Sequence, residues 1–234
     1  RAQYNIINNY FKPGPATPKN NVGHRILKPE SGRSKLKEKY YGRAYVNGNI
    51  MEGYPEITKD NWKGGVQVEE LNGVGEHEAE MRWPKPLPMP ALTIINAEAA
   101  RQFVLSNAGA TLPVRDAVDK RITEQARTGK IIVPEGVTPP ATQFKHRRAP
   151  LDSYKQGVIT DISQVGGYPE YKGTPYKDSD NDGMPDAWEI KNKLNPNNAG
   201  DATTINASGY SNIEVYLNSV VDIKNVKPAT PGKK

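Results

Sequence analysis

The chain has 234 residues, a formal net charge of +6 at pH 7 and only 35% hydrophobic residues. Its 21 glycines and 20 prolines favour a loop-rich fold over a helical bundle. The absence of cysteine excludes a disulfide framework, and no apolar run approaches the roughly 18 residues that a membrane span needs. The basic balance favours an anionic partner, although the cationic residues are scattered, as is typical of a solvated surface. Because the chain opens at RAQYN without a methionine, we expect it to be part of a longer protein.

The first 70 residues are predicted to be β structure. Four short segments of the whole chain are rich in β-formers and bounded by turn residues. These predicted strands are 3–11 (QYNIINNYF), 44–51 (AYVNGNIM), 66–71 (VQVEEL) and 157–162 (GVITDI). In the first two, asparagine stands where the strand meets its turn, at Asn8-Asn9 and around Gly48. Either these asparagines serve turns, because asparagine tolerates the left-handed backbone, or stacked coils of a solenoid align them in a ladder.

Residues 82–165 are predicted to form a long excursion of loops and helices. Within it, RWPKPLPMPAL (82–92) holds four prolines and is predicted to be extended, either as a spacer or as a surface-hugging strap. Two helices are predicted to follow, each with a polar N-cap and a glycine at its end: Asn96 with Gly109, and Asp116 with Gly129.

Residues 178–189, DSDNDGMPDAWE, hold five carboxylates in twelve positions, where like charges repel. The stretch matches the calcium-loop pattern D-x-[DN]-x-[DN]-G-x5-E completely. A calcium ion (Ca2+) takes about six to eight oxygen ligands, which this loop supplies from side chains and one backbone carbonyl. The predicted metal ligands are Asp178, Asp180, Asp182, the carbonyl of Met184, Asp186 (directly or through water) and Glu189. The alternative is an acidic surface turn that binds no metal.

The loop is not predicted to be a calcium sensor. A sensor EF-hand has a helix before its loop, whereas residues 166–177 hold glycines and prolines that break helices. Only the exiting helix is predicted, beginning near Pro185 and stopped by Asn195-Pro196. A calcium loop with only its exiting helix cannot open to expose a groove. We therefore expect a structural ion, bound with a dissociation constant of about 10⁻⁴ to 10⁻³ M or tighter. A site of that affinity is filled outside the cytosol, which favours an exported protein.

A second helical segment follows at residues 195–219, with a helix predicted over 212–217. The residues expected to face inward are Ile213, Tyr216 and Leu217. Asp201 is a candidate to lend one ligand to the first metal site. Where a second loop would need carboxylates, the chain has Thr204, Asn206 and Ser208. Packing of a helix pair is therefore favoured over a second complete metal site.

Five blocks of sequence carry a family resemblance. In chain order they are NIINNYFKPGPATP, YVNGNIMEGYPEITKDNWKGGVQ, NAGATLPVRDAVDKRITEQARTGK, VGGYPEYKGTPYKDSDNDGMPDAWEIKNKLNPNN and GYSNIEVYLN. Together they resemble the pectate lyases of polysaccharide lyase family 1, in the form common in Bacteroidetes. KPGPATP and NAGA-x-LP-x-RDAVD-x-R are fairly specific, whereas the calcium loop also recurs in thrombospondin-like and dockerin-like modules.

The resemblance implies a mainly β fold that is the C-terminal half of such an enzyme. Its parts would be the last coils of a right-handed parallel β-helix, a loop and helix excursion that wraps them, a calcium-bound helical cap and a disordered tail. They correspond to residues 1–81, 82–165, 166–222 and 223–234. The resemblance further implies an exported protein, located outside the cell, on its surface or in the periplasm. Its partners would be pectate and the N-terminal half of the same enzyme, not nucleic acid.

The family cleaves pectate by calcium-dependent β-elimination, in which a calcium ion bridges enzyme and uronate and an arginine takes the C5 proton. That arginine lies in an R-x-P-R-type stretch, which this sequence lacks along with the acidic ligands of the substrate calcium. No catalytic residue is therefore assigned, substrate-binding residues stay unknown, and the segment alone is expected to be inactive. For Lys12, Arg25 and Arg43, ordinary solvated charge is favoured over contact with uronates. The alternative function is a noncatalytic, calcium-stabilised β-helical module for carbohydrate binding or surface structure.

Overall fold

The chain is represented by a computed structural model. It describes residues 2–31, 41–69, 73–109, 111, 115–136, 155–170 and 173–220. The chain divides into two compact units, and the second begins at Glu170. The predicted tail at 223–234 lies outside the described residues. In the described part, no helix is both long enough and apolar enough to cross a membrane.

Four short strands of the first unit form two parallel pairs. The strands are β1 (Gln3–Ile7), β2 (Tyr10–Phe11), β3 (Arg43–Asn47) and β4 (Ile50–Met51). β1 pairs with β3 and β2 pairs with β4, and in both pairs each residue faces the one 40 positions later, as Gln3 faces Arg43. Isolated parallel bridges also join Leu27 to Val66 and Ala44 to Arg82. Successive passes of the chain therefore lie side by side and run in the same direction.

Each of the first two predicted strands is divided by a bend. Asn8 has φ 54° and Gly48 has φ 70°, both in the left-handed region. β1 therefore ends at Ile7 and β3 at Asn47, and the chain turns before β2 and β4 begin. A Cβ on Gly48 would lie 2.0 Å from the Oδ1 of Asn8, so a larger residue at this position would have to displace the Asn8 side chain.

The asparagines next to these bends form a hydrogen-bonded ladder. The Nδ2 of Asn9 donates to the Oδ1 of Asn49 at 2.9 Å, and the Nδ2 of Asn49 donates to the Oδ1 of Asn61 at 2.9 Å. Asn49 is 0% exposed, so its hydrogen bonds replace those that it would make with water. Asn8 therefore serves a turn, whereas Asn9 and Asn49 belong to a ladder of side chains. Asn61 was not anticipated as its third member.

The core of the first unit lies against β3. Side chains alternate along a strand, and here Ala44 and Val46 are buried while Arg43 and Tyr45 are only partly buried. The buried cluster comprises Tyr41, Ala44, Val46, Trp62, Val66, Val68, Val74 and Met81. Most of these residues lie outside the four strands. Val66 and Val68, for example, are buried although residues 66–69 form no strand.

Two strand predictions are wrong within the described residues. Residues 66–69 form the single bridge at Val66 and no strand, and residues 70–71 lie outside the described part. Residues 157–162 form turns and then enter a short 3-10 helix, Ile162–Val165. Asp161 caps that helix by accepting a hydrogen bond from the backbone of Ser163 at 2.8 Å. A capped turn therefore replaces the predicted strand.

The proline-rich segment lies along the face of β1 opposite the core. Asn5 accepts a hydrogen bond from the backbone N–H of Leu87 and donates one to its carbonyl, both at 2.9 Å. Further along, the Nδ2 of Asn8 donates to the carbonyl of Ile95 at 2.9 Å. Leu87 is only 6% exposed. The segment is therefore a strap fastened to the strands rather than a free spacer.

Six α-helices are present among the described residues. They are α1 (Pro55–Lys59), α2 (Glu78–Met81), α3 (Ala97–Asn107), α4 (Ala117–Thr128), α5 (Asp186–Lys191) and α6 (Asn212–Ser219). The predicted N-caps of α3 and α4 are confirmed, because the side chains of Asn96 and Asp116 each accept a backbone hydrogen bond at 2.8 Å. Gly129, with φ 70°, ends α4 as predicted. Helices α1 and α2 were not predicted, because they are shorter than two turns and carry little periodic pattern.

Candidate metal centre

The acidic loop of the second unit is folded tightly by its own side chains. Asn181 has φ 60° and Gly183 has φ 95°, so both adopt left-handed backbone. The Oδ2 of Asp178 accepts the backbone N–H of Gly183 at 3.0 Å, and the Oδ1 of Asp182 accepts that of Met184 at 2.8 Å. This turn brings the side chains of the first three predicted ligands together. Carboxylate oxygens of Asp178, Asp180 and Asp182 all lie within 4.8 Å of one another.

Helix α5 brings the last predicted ligand to the loop. Pro185 precedes its first turn, and Glu189 lies one turn further on. Oxygens of Glu189, Asp182 and Asp201 form a second group within 4.8 Å, which shares Asp182 with the first group. On the same helix, the ring of Trp188 meets the ring of Tyr216 of α6 edge-on at 5.3 Å. α5 therefore carries one side chain to the acidic cluster and another to α6.

The cluster holds buried carboxylate oxygens that have no hydrogen-bond partner. They are both oxygens of Asp180, both of Glu189, the Oδ2 of Asp182 and the Oδ1 of Asp201. Buried polar atoms are nearly always paired, and an unpaired buried charge is strongly destabilising. Oxygen atoms of carboxylates are the ligands that calcium prefers. The residues present therefore fit a hard divalent cation, which would hold together charges that the protein itself does not neutralise.

Electrostatics agree with this geometry. Burial, together with the nearby charges of Asp180, Asp182 and Asp201, raises the pKa of Glu189 to about 7. Burial also raises the pKa of Asp182 above its ordinary value. In the metal-free protein these carboxylates hold protons more tightly than usual, because the charged form is disfavoured by desolvation and by like charges. A cation at this position would remove both penalties.

Asp186 occupies a different position from the other predicted ligands. Its Oδ1 accepts the backbone N–H of Ser179 at 2.7 Å, and its Oδ2 accepts the Ser179 hydroxyl at 2.8 Å. Lys177 pairs with the same Oδ2 at 2.9 Å and lowers the pKa of Asp186. Asp186 belongs to neither of the two carboxylate groups. It fastens the start of the loop to the first turn of α5. Met184, the other predicted ligand between Asp182 and Glu189 in the sequence, has a fully buried side chain.

The tertiary structure adds Asp201, the residue that the sequence offered only as a candidate. It ends a short 3-10 helix, Ala199–Asp201, twelve residues beyond Glu189. No spacing rule for calcium loops reaches that far, so its proximity to Glu189 is a consequence of how α5 and α6 are connected.

In α6, Ile213 and Tyr216 are partly buried, whereas Leu217 is 54% exposed, so the predicted inward orientation of Leu217 is wrong.

The three basic residues considered for substrate contact are engaged within the first unit. Lys12 pairs with Glu52 at 2.5 Å. The Nε of Arg25 donates to the Oε1 of Gln67 at 2.6 Å, and the guanidinium of Arg43 lies over the ring of Trp83 at 4.7 Å. Each of the three side chains therefore has a partner within the first unit, and the preference for ordinary charge over substrate contact stays a prediction.

No protein-family model matches the chain. It is 29% identical over 218 residues to a protein of Aspergillus fumigatus named probable pectate lyase C, an alignment that covers 93% of this chain and 42% of that protein. Proteins of the same name are 28% identical in Neosartorya fischeri, over 93% of this chain and 42% of theirs, and 28% identical in Emericella nidulans, over 91% and 41%. The chain thus spans less than half the length of these curated relatives. The similarity supports a pectate lyase-like family for this chain.

Proposed function

We propose that this chain is the C-terminal part of an exported, pectate lyase-like polysaccharide lyase. The observation that carries the proposal is the similarity over 93% of the chain to proteins named probable pectate lyase C. The constant 40-residue offset between paired parallel strands supports a parallel β-helix, right-handed as the family resemblance implies, because a solenoid stacks each pass of the chain on the last. The asparagine ladder supports the same fold, since it joins equivalent positions of successive passes.

In this proposal the complete enzyme cleaves pectate by β-elimination. A base removes the C5 proton of a uronate beside its carboxylate, and the glycosidic oxygen at C4 departs to leave an unsaturated uronide. No residue of this chain is assigned a catalytic role. Its proposed contribution is the end of the scaffold, with the strap and the helices α3 and α4 covering the outer faces of the coils.

The acidic cluster is proposed to be a structural calcium site of the second unit. Asp178, Asp180, Asp182, the Met184 carbonyl and Glu189 would hold the ion, and Asp186 would fasten the loop. The unpaired buried oxygens of Glu189 and Asp180 support this proposal. A site in the weak affinity range is filled where calcium is abundant, so we place the protein outside the cell, at its surface or in the periplasm.

Chelation tests the calcium site. Thermal unfolding of the 234-residue chain should be measured in calcium and in excess EGTA, with Asp182→Ala as the variant that lacks a shared ligand. Calcium should raise the unfolding temperature of the native chain and have little effect on the variant. An unfolding curve that does not change on chelation contradicts the proposed site.

The enzymatic proposal is tested with a longer protein. The chain should be expressed with and without the coding sequence upstream of it, and release of unsaturated uronides from polygalacturonate followed by ultraviolet absorbance. We expect release only by the longer protein and only with calcium. If the longer protein binds polygalacturonate without cleaving it, the enzymatic proposal fails and the noncatalytic carbohydrate-binding module takes its place.

A further inference from the structure

We infer that Asp201, from outside the twelve-residue loop, is the ligand that closes the calcium site, so that one ion ties α6 to the loop and α5. The inference rests on the calcium site proposed above and adds a residue to it. It also gives the ion a specific task, because the segment that carries Asp201 has no complete metal loop of its own.

The side chain of Asp201 is oriented for this task. Its Oδ2 accepts the backbone N–H of Asn195 at 3.0 Å, while its Oδ1 is buried without a hydrogen-bond partner. An oxygen of Asp201 lies within 4.8 Å of oxygens of both Asp182 and Glu189. The Oδ2 is therefore held by the backbone of Asn195, and the Oδ1 is left for the ion.

A second and independent observation comes from Glu189. Its side chain is 0% exposed, and neither of its oxygens has a hydrogen-bond partner. The buried oxygens of Glu189 and Asp201 are close enough to share one ion and have no protein donor between them. Both oxygens of Asp186, by contrast, already accept hydrogen bonds from Ser179. The structure thus assigns to Asp201 the part that the loop pattern gives to position 9.

Asp201 is also the point at which α6 is anchored. Its carbonyl accepts the side-chain amide of Asn212 at 2.8 Å, and Asn212 is the first residue of α6 and is buried. The next residue, Ala202, accepts the backbone N–H of Ile213 at 3.0 Å. An ion held by Asp201 therefore restrains the backbone on which the first turn of α6 rests.

Calcium titration by calorimetry distinguishes Asp201 from Asp186. The near-isosteric variants Asp201→Asn and Asp186→Asn each remove one negative charge from the second unit. We expect Asp201→Asn to weaken calcium binding about tenfold or more, and Asp186→Asn to weaken it about threefold at most, because ligand charge governs affinity at such sites. Wild-type affinity in Asp201→Asn overturns the inference, and so does an equal loss in both variants, which would reflect net charge alone.

Hydrogen exchange of the amides of residues 212–219 tests the link to α6. In the native chain, saturating calcium should slow exchange in this helix. In Asp201→Asn, saturating calcium should slow exchange in the loop at 178–184 but not in α6. Equal protection of α6 in both proteins overturns the inference while leaving the proposed calcium site intact. If the native chain binds no calcium at all, the proposed site itself fails and this inference fails with it.

Discussion

The side-chain amide of Asn9 donates to the Oδ1 of Asn49 at 2.9 Å, although the two residues are 40 positions apart in the chain. The same oxygen also accepts the backbone N–H of Asn9 at 2.8 Å. Asn49 continues the ladder by donating to Asn61 and to the carbonyl of Ile6. Because the ladder lies where both passes of the chain bend, it holds the two bends in register.

Replacing Asn49 by alanine should therefore destabilise the first unit strongly. The change removes the side-chain hydrogen bonds to Asn9, to Asn61 and to the carbonyl of Ile6 at a position that is 0% exposed. We expect a loss of about 2–4 kcal/mol in the free energy of unfolding, the range for breaking a buried polar network. Denaturant unfolding measures it, with the exposed Asn9→Ala as the milder control. Equal losses in the two variants would contradict a central role for Asn49.

Gly48→Ala tests the close approach of the two bends. Gly48 and Gly53 both have positive φ, at 70° and 85°, but only Gly48 has a neighbour where a Cβ would stand. The obstructing Oδ1 belongs to Asn8, whose Nδ2 is held by the carbonyl of Ile95. Gly53→Ala should lower the free energy of unfolding by about 1 kcal/mol from backbone strain alone. Gly48→Ala should lower it measurably more, because the added Cβ also meets Asn8. Equal midpoints of denaturant unfolding would show that Asn8 moves aside freely.

Asn5→Ala should loosen the strap. The variant loses both hydrogen bonds to the backbone of Leu87, worth about 1–2 kcal/mol in local stability. Every second residue from Pro84 to Pro90 is proline and has no backbone N–H. Few amides of this segment therefore exchange hydrogen, so the exchange rate at Leu87 is easily resolved. Exchange there should accelerate in the variant, while the capped helix α4 serves as the internal control. Unchanged exchange at Leu87 would mean that burial alone holds the strap.

Glu189→Gln should stabilise the metal-free second unit against thermal unfolding and weaken its stabilisation by calcium. In excess EGTA at pH 8 the variant should unfold at a higher temperature than the native chain, because it buries one unpaired charge fewer. In calcium it should gain much less, because it lacks a carboxylate ligand. Glu170→Gln, an exposed change of the same charge, is the control. A variant that keeps the full calcium response shows that Glu189 does not bind the ion.

The pH dependence of the metal-free second unit follows from Glu189. Its pKa is raised to about 7 in the folded protein from 4.5, so the folded state binds the proton more tightly than the unfolded state. The resulting stability is fully present below about pH 4.5 and is lost as the pH rises through about 7. In EGTA, the unit should therefore unfold at a lower temperature at pH 8 than at pH 6. Calcium should correspondingly stabilise it more at pH 8, and thermal unfolding at both pH values checks this.

Local features were predictable from the sequence because their causes are local. The N-caps Asn96 and Asp116 act on backbone groups three residues away, and Gly129 supplies a positive φ for its own turn. The same holds for Asp178, Asp180 and Asp182, whose alternate spacing around a tight turn is enough to bring their oxygens together.

Other features were decided only by the tertiary structure. Asn61 joins the ladder, and Asp201 joins the acidic cluster, through contacts between segments that no short pattern connects. The predicted strand 157–162 is replaced by a capped turn, in which Asp161 accepts the backbone N–H of Ser163. Residues 66–69 do bond the backbone of Leu27 and Pro29, but the pairing gives only one bridge, at Val66. Asp186 fits the loop pattern, yet the hydroxyl of Ser179 and the amine of Lys177 engage its oxygens. The sequence by itself therefore determined the turns, the caps and the first three carboxylates of the acidic cluster, whereas the fold decided which distant groups lie beside them.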